Sequence, residues 1–215
     1  TGLLLGNHAL HNAGLELAGQ IAAKTGVQLL SETFPARLAR GEGRVPVQLV
    51  PYFLEMAQGF FAEYEQIVLV GAMPPVSTFA YQHSATSKVP PGCDLSTFAS
   101  PDHDVITSLK GLVEALDAGG QAVARCPRIE PEVPVGSLTP ASIGQSVSLL
   151  MPEGSALVDE GATAGLDLYM HTAGARQHEY LYAIPGAAIG NGLPVALGAA
   201  IAAPERKVVA LQADC

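Results

Sequence analysis

Short, wholly apolar runs alternate along the chain with longer stretches in which apolar residues return every three or four positions. Leu3, Leu4 and Leu5, followed by Gly6, predict a buried strand that ends at a sharp turn. Leu15, Leu17, Ala18, Ile21 and Ala22 fall at helical spacing, and Gly26 is placed to close that helix. Residues 27–30 read as a second short strand. Pro51 suits the first turn of a helix running through Met56 and Phe60, because its missing N–H is not needed there. Residues 67–70, all apolar and stopped by Gly71 and Pro74, carry the clearest signature of a strand in a parallel sheet. Residues 95–99 suggest a further strand. Cap-forming residues at 100–104 precede a helix that carries Val105, Ile106, Leu109, Val113 and Leu116.

This rhythm predicts an α/β fold, with a doubly wound parallel sheet over residues 1–125. The pattern then breaks. Pro127, Pro131, Pro134 and Pro140 fall in a stretch with little apolar periodicity, so residues 126–138 read as a semi-extended linker. A second, incomplete α/β domain is expected over residues 139–215. Thr139 caps a helix with Pro140 at its first position, and that helix runs to Leu150. Strands are expected at 156–158 and 207–211, with the small-residue segment 186–203 between them.

Composition narrows the choice of partners. Hydrophobic residues make up 48% of the 215 and charged residues 14%, which favours an extensive core over disorder. The net charge of −9 leaves no electrostatic footprint for nucleic acid or anionic lipid. Cys93, Cys126 and Cys215 have no paired spacing, which fits a reducing compartment and argues against both a disulfide framework and a Cys-based zinc site. The longest greasy stretch, 193–203, is broken by Pro194 and Gly198 and is too short for a membrane span. A cytoplasmic, soluble protein is the expectation. Thr1 is not a natural start, which leaves room for a preceding segment.

The turn at Gly6 lacks the three-glycine dinucleotide spacing, and no acidic residue marks a ribose-binding strand end. His8 and His11 stand i, i+3 without a nearby third ligand, and Asp102 to Asp104 read as a helix start. The C-terminal third is richer. The run from Gly186 through Ala187, Ala188, Ile189, Gly190, Asn191 and Gly192 permits close backbone approach of a ligand or another chain. The strand over 207–211 then delivers Asp214 to its carboxyl end, where parallel sheets bind ligands and where a carboxylate is a natural hard-metal ligand.

Together, the 186–203 segment and the strand leading into Ala213 and Asp214 resemble thiamine-diphosphate enzymes of the acetolactate synthase and benzoylformate decarboxylase group. In that family a strand ends in Gly-Asp-Gly, whose Asp ligates the Mg²⁺ of the cofactor diphosphate. The resemblance makes residues 1–125 the middle, non-catalytic domain and 139 onward the start of the diphosphate-binding domain. It implies thiamine diphosphate and Mg as cofactors, with Asp214 the first metal ligand. Ile189 would be the wedge that bends the cofactor, and the Ala187 carbonyl, beside Ala188, would accept from its pyrimidine amine. Ala162 and Thr163 would contact the diphosphate. The implied activity is 2-oxo-acid decarboxylation or carboligation, with pyruvate and aromatic substrates both open. A homodimeric or homotetrameric parent is implied as well.

Two departures stand out: Ala213 replaces the first Gly of that motif, and Cys215 replaces the last. The family's second metal ligand and its catalytic Glu lie outside the 215 residues, so this chain alone is expected to be inactive. The alternative is a nucleotide-binding or structural module, with FAD in the middle domain, although nothing at Gly6 singles out a flavin.

Overall fold

A computed structural model describes residues 1–79, 82, 86–182 and 188–213. The chain forms two compact units, Thr1–Pro35 with Val45–Ala124, and Ala36–Arg44 with Arg125–Cys215.

The first unit is built on five parallel strands: β1 (Gly2–Leu5), β2 (Gln28–Ser31), β4 (Gln48–Leu49), β5 (Gln66–Val70) and β6 (Asp94–Ala99). Their order is β4-β2-β1-β5-β6. Alternation along the strands puts Leu4, Leu30, Ile67 and Leu69 on one face, in a core with Ala57 and Phe61 of α2 (Leu54–Phe61). Leu3 and Leu5 are buried on the opposite face. Helices α1 (Asn12–Thr25) and α3 (Val105–Ala115) pack against each other. Gly26 closes α1 in the left-handed region at φ 78°, and Asp104 caps α3 by accepting from the Thr107 N–H. Two details differ from the sequence reading. Pro51 precedes the helix rather than opening it, since Phe53 is the residue at its N-cap. Gly6 is extended (φ −140°), and the positive φ falls on Asn7. Gly6 is needed because a Cβ there would meet the Gly71 carbonyl oxygen at 2.7 Å.

The second unit holds a four-stranded sheet in the order β3-β8-β7-β9: β3 (Leu38–Arg40), β7 (Ser155–Glu160), β8 (His178–Tyr182) and β9 (Val208–Gln212). Strands β7, β8 and β9 are parallel, and β3 runs antiparallel to β8 with Arg40 opposite His178. Residues 36–44, expected within the first domain, therefore complete the second sheet. Helices α4 (Pro140–Leu150) and α5 (Thr163–His171) pack together, and α6 (Gly192–Ala202) lies on β7 and β9. Thr139 and Ser142 form a reciprocal capping box that starts α4. Residues 126–138 carry no helix or strand. Among the described residues, no helix is long and apolar enough to cross a membrane.

Candidate functional site

Strand β7 is buried along its whole length, yet it ends in two carboxylates. Asp159 and Glu160 are each 3% exposed. Because neighbouring strand residues point to opposite faces, the two acids enter different surroundings.

Glu160 ties three segments together. One carboxylate oxygen, Oε1, accepts from the backbone N–H of Gly190 and, at 3.2 Å, from that of Asn191. The other, Oε2, accepts from the N–H of Gly192 at 2.6 Å and from Nε2 of Gln212 at 2.9 Å. The Ala213 N–H also donates to the Glu160 carbonyl at 3.0 Å. Burial acts to raise the pKa of this carboxyl. The hydrogen bonds from Gln212, Gly192, Gly190 and Asn191 outweigh it and hold the group below its ordinary value. A carboxylate at the first turn of α6 also meets the positive end of the helix dipole. Gly192 must be glycine, because a Cβ there would sit 2.6 Å from both the Glu160 and the Gln212 side-chain oxygens.

Asp159 accepts the Gly161 N–H at 2.8 Å and the Tyr180 hydroxyl at 2.7 Å. Here burial dominates, and the carboxyl is pushed above its usual range despite both bonds. Burial also pushes the Tyr180 hydroxyl up, with the Asp159 charge adding to the shift. Tyr180 packs edge-on against Tyr169, and the Arg40 guanidinium lies 3.5 Å from the centre of the Tyr169 ring. Arg40 also donates to the Thr172 hydroxyl at 3.0 Å.

Between Glu160 and α5 the chain turns through Gly161 and Ala162. Ala162 sits at φ 46°, ψ −110°, a strained backbone for a residue with a Cβ. The turn delivers Thr163 to the start of α5, and Ala162 and Thr163 are both exposed. Across the sheet end, Ala188 and Ile189 are exposed as well, Ile189 at 73%. The structure thus brings Ala162 and Thr163 to the same strand ends as the segment carrying Ala188 and Ile189. Ala187 and Asp214, and with them Cys215, lie outside the described residues. Among the described residues, no group of three His, Cys, Asp or Glu side chains is placed to hold a metal ion.

The sequence reading assigned roles to Ala162 and Thr163 and passed over the side chains of Asp159 and Glu160. The signal was present: two acids ending an otherwise apolar strand, with a glycine immediately after. It also found no acid at a strand end of the first sheet, but Glu32 stands directly after β2. The Glu32 N–H donates to the Leu5 carbonyl at 3.3 Å, and burial lifts its carboxyl to a pKa of about 7 although the Asn7 N–H opposes the shift.

No protein-family model matches the chain. Along 213 residues, 99% of its length, it is 40% identical to a Mycobacterium tuberculosis protein provisionally named acetolactate synthase large subunit IlvX. The chain spans 41% of that relative. A solved structure, provisionally described as a thiamin diphosphate-dependent enzyme isolated from Mycobacterium smegmatis, matches 96% of the chain with a TM-score of 0.69. Identity to it is 21%, and 44% of that protein is covered, so this likeness speaks to the fold.

Proposed function

Because the chain belongs to the thiamine-diphosphate-dependent enzyme family, we propose that its second unit carries the part of a cofactor site that holds the diphosphate and the aminopyrimidine. The observation that supports this most is the junction at Glu160. It fixes the turn into α5, the end of β9 and the segment 190–192 against one another at the carboxyl ends of parallel strands.

The described residues fit such a group. Thr163 offers an exposed hydroxyl at a helix start, beside a turn whose backbone is held away from the usual conformation. Ile189 offers an exposed β-branched side chain on a segment that Glu160 anchors. We assign Thr163 and the backbone of Ala162 to the diphosphate, Ile189 to the wedge beneath the cofactor, and Ala187 and Ala188 to the aminopyrimidine. Asp214 is the proposed Mg ligand. When bound, thiamine diphosphate supplies the electron sink for decarboxylating a 2-oxo acid. The chain's own work is to bind and orient. Glu160 stays ionised and holds the 190–192 amides, so the segment bearing Ile189 keeps its place, and Asp159 with Tyr180 holds the Gly161 turn.

The proposed activity of the longer proteins that contain this segment is acetolactate synthase-like carboligation or 2-oxo-acid decarboxylation, in a cytoplasmic homodimer or homotetramer. The exposed apolar row of Leu193, Leu197 and Ile201 on α6 supports assembly. The 215-residue chain alone is expected to bind cofactor without turnover. Titration with thiamine diphosphate, with and without Mg²⁺, should give saturable calorimetric binding and amide shifts at Thr163 and Ile189. Absence of binding at millimolar cofactor, or shifts confined to the first unit, would overturn the assignment.

A further inference from the structure

Helix α5 carries Thr163 at its first position, and a separate group of side chains grips it at each end. At the amino end both oxygens of Asp159 are engaged: Oδ1 accepts the Gly161 N–H at 2.8 Å, and Oδ2 accepts the Tyr180 hydroxyl at 2.7 Å. The helix backs directly onto that carboxyl, since a Cβ at Gly165 would meet Oδ2 at 2.6 Å. At the other end stands Arg40 of β3. Its guanidinium lies 3.5 Å from the centre of the Tyr169 ring and donates through Nη1 to the Thr172 hydroxyl at 3.0 Å. Tyr169 belongs to the last turn of α5, and Thr172 is its C-cap. The Thr172 hydroxyl in turn donates to the Leu168 carbonyl at 2.7 Å.

Tyr180 joins the two grips. Its hydroxyl bonds Asp159, its ring meets Tyr169 edge-on at 5.4 Å, and the Arg40 guanidinium lies 5.4 Å from its centre. Arg40, Tyr169, Thr172 and Tyr180 are all buried. Among the described residues, no carboxylate pairs with Arg40. A guanidinium buried against rings and a hydroxyl costs free energy that an apolar side chain of similar size would avoid. Its advantage is orientation. A planar fork that stacks on one ring and bonds a helix cap can sit in one way only. Its charge also suits the carboxyl end of α5, where the helix dipole is negative.

We propose that Arg40 is a positioning residue for the cofactor diphosphate, acting through α5. This rests on the assignment of Thr163 and the Ala162 backbone to the diphosphate. Tyr169 follows Thr163 by six residues, about 9 Å of helix rise, so Arg40 acts without touching the cofactor. A helix gripped at both ends responds as a rod. A tilt at Tyr169 shifts Thr163 and twists the turn through Gly161 and the strained Ala162. Residues 36–44, which lie in sequence between the two stretches of the first unit, thereby set the aim of the diphosphate turn.

The test compares the 215-residue chain with Arg40→Lys and Thr172→Val, at a temperature where circular dichroism shows each protein folded. Arg40→Lys keeps the charge and loses the stacking plane and the fork, whereas Thr172→Val keeps the shape and loses the acceptor. Calorimetry reads the affinity for thiamine diphosphate with Mg²⁺, and hydrogen exchange reads the backbone amides of the cofactor-free protein. Arg40→Lys should weaken cofactor binding about tenfold, the low end of what losing an outer supporting group costs, and Thr172→Val at least about threefold. Exchange at Gly161 should quicken at least about tenfold in Arg40→Lys, while Gly190 and Gly192, held by Glu160, keep their rates. A purely structural Arg40 would lower the melt and quicken all three amides alike, with unchanged affinity in the folded protein. That result overturns the proposal, as does unchanged exchange at Gly161. If Arg40→Lys does not fold, Thr172→Val decides on the same two readings. If the wild-type chain does not bind thiamine diphosphate, the diphosphate assignment falls and this proposal with it. If the wild type binds and the variants bind equally well, this proposal alone falls.

Discussion

Replacing Glu160 by Gln keeps the shape of the side chain and removes its charge, so the consequence follows from its partners alone. Each carboxylate oxygen faces two donors, Gly190 and Asn191 at Oε1 and Gly192 and Gln212 at Oε2. Whichever way a glutamine amide turns, its NH₂ must face one of these donor pairs. If it takes the Oε2 side, Gln212 can turn its own amide to accept from it, so at least one hydrogen bond to a charged acceptor is lost, and Glu160→Gln should cost at least about 1.5–3 kcal/mol. That is a large share of the about 5–15 kcal/mol that holds a typical domain together. Urea unfolding followed by circular dichroism measures the loss. Hydrogen exchange at the Gly190 and Gly192 amides locates it. The acid limb gives a second check. The folded pKa lies below the ordinary 4.5, so the stabilisation is complete above that value and disappears as pH falls through the lower one. The variant should lack this limb. A cost below about 1 kcal/mol, with protection unchanged at both amides, would refute the tie that Glu160 is said to make.

Tyr180→Phe removes the 2.7 Å bond to Asp159 and leaves a buried carboxyl short of a partner; unfolding should show a loss of about 1–3 kcal/mol, and a loss below about 0.5 kcal/mol would count against the pairing. Ala162→Gly relieves a side chain held at φ 46°, worth about 1–2 kcal/mol, against about 0.5–1 kcal/mol for the freedom glycine regains when unfolded. A net gain of about 0.5–1 kcal/mol in urea is expected, and a destabilised variant would contradict the strain. Glu32, with a folded pKa of about 7 against 4.5, keeps in the folded state a proton that the unfolded chain releases within that window. Stability of the first unit should therefore fall as pH rises between those values, by up to about 3 kcal/mol, and Glu32→Gln should flatten the slope. Urea midpoints for both proteins across that window check it, and parallel slopes would exclude Glu32 as the cause.

The elements legible from sequence were those whose apolar pattern follows their burial. Strands β1 and β5 are apolar runs ended by glycine, and α1 and α3 carry both periodicity and a cap, so local pattern and tertiary demand agree. Strand β8 reads His-Glu-Tyr-Leu-Tyr, and its polar residues conceal a strand whose His178, Tyr180 and Tyr182 are buried. Strands β3 and β4 are three and two residues long, too short for a period to register. Helix α5 was missed because Gly165 lies near its start. Its reason is tertiary, since a Cβ there would meet Asp159 Oδ2 at 2.6 Å. At the candidate site, the small residues announced close approach. Of the groups that hold them, Glu160 was signalled by its place at the end of an apolar strand, whereas Gln212 and its tie to Glu160 could not be recognised before β7 and β9 were known to be neighbours.

The short strand β3 gives the second sheet a dependence on the order of synthesis. Its partner β8 is translated about 140 residues later, a delay of roughly 7–28 s at ordinary ribosomal speed. Through that interval Leu38, Ala39 and Arg40 wait on an emerged chain without their strand partner, while the residues of the first unit are already synthesised. A gene fragment starting at residue 125 would omit the strand altogether and expose the backbone edge of β8. Supplying residues 36–44 as a separate peptide should restore that edge in trans, which makes this segment a handle for assembling the unit on demand.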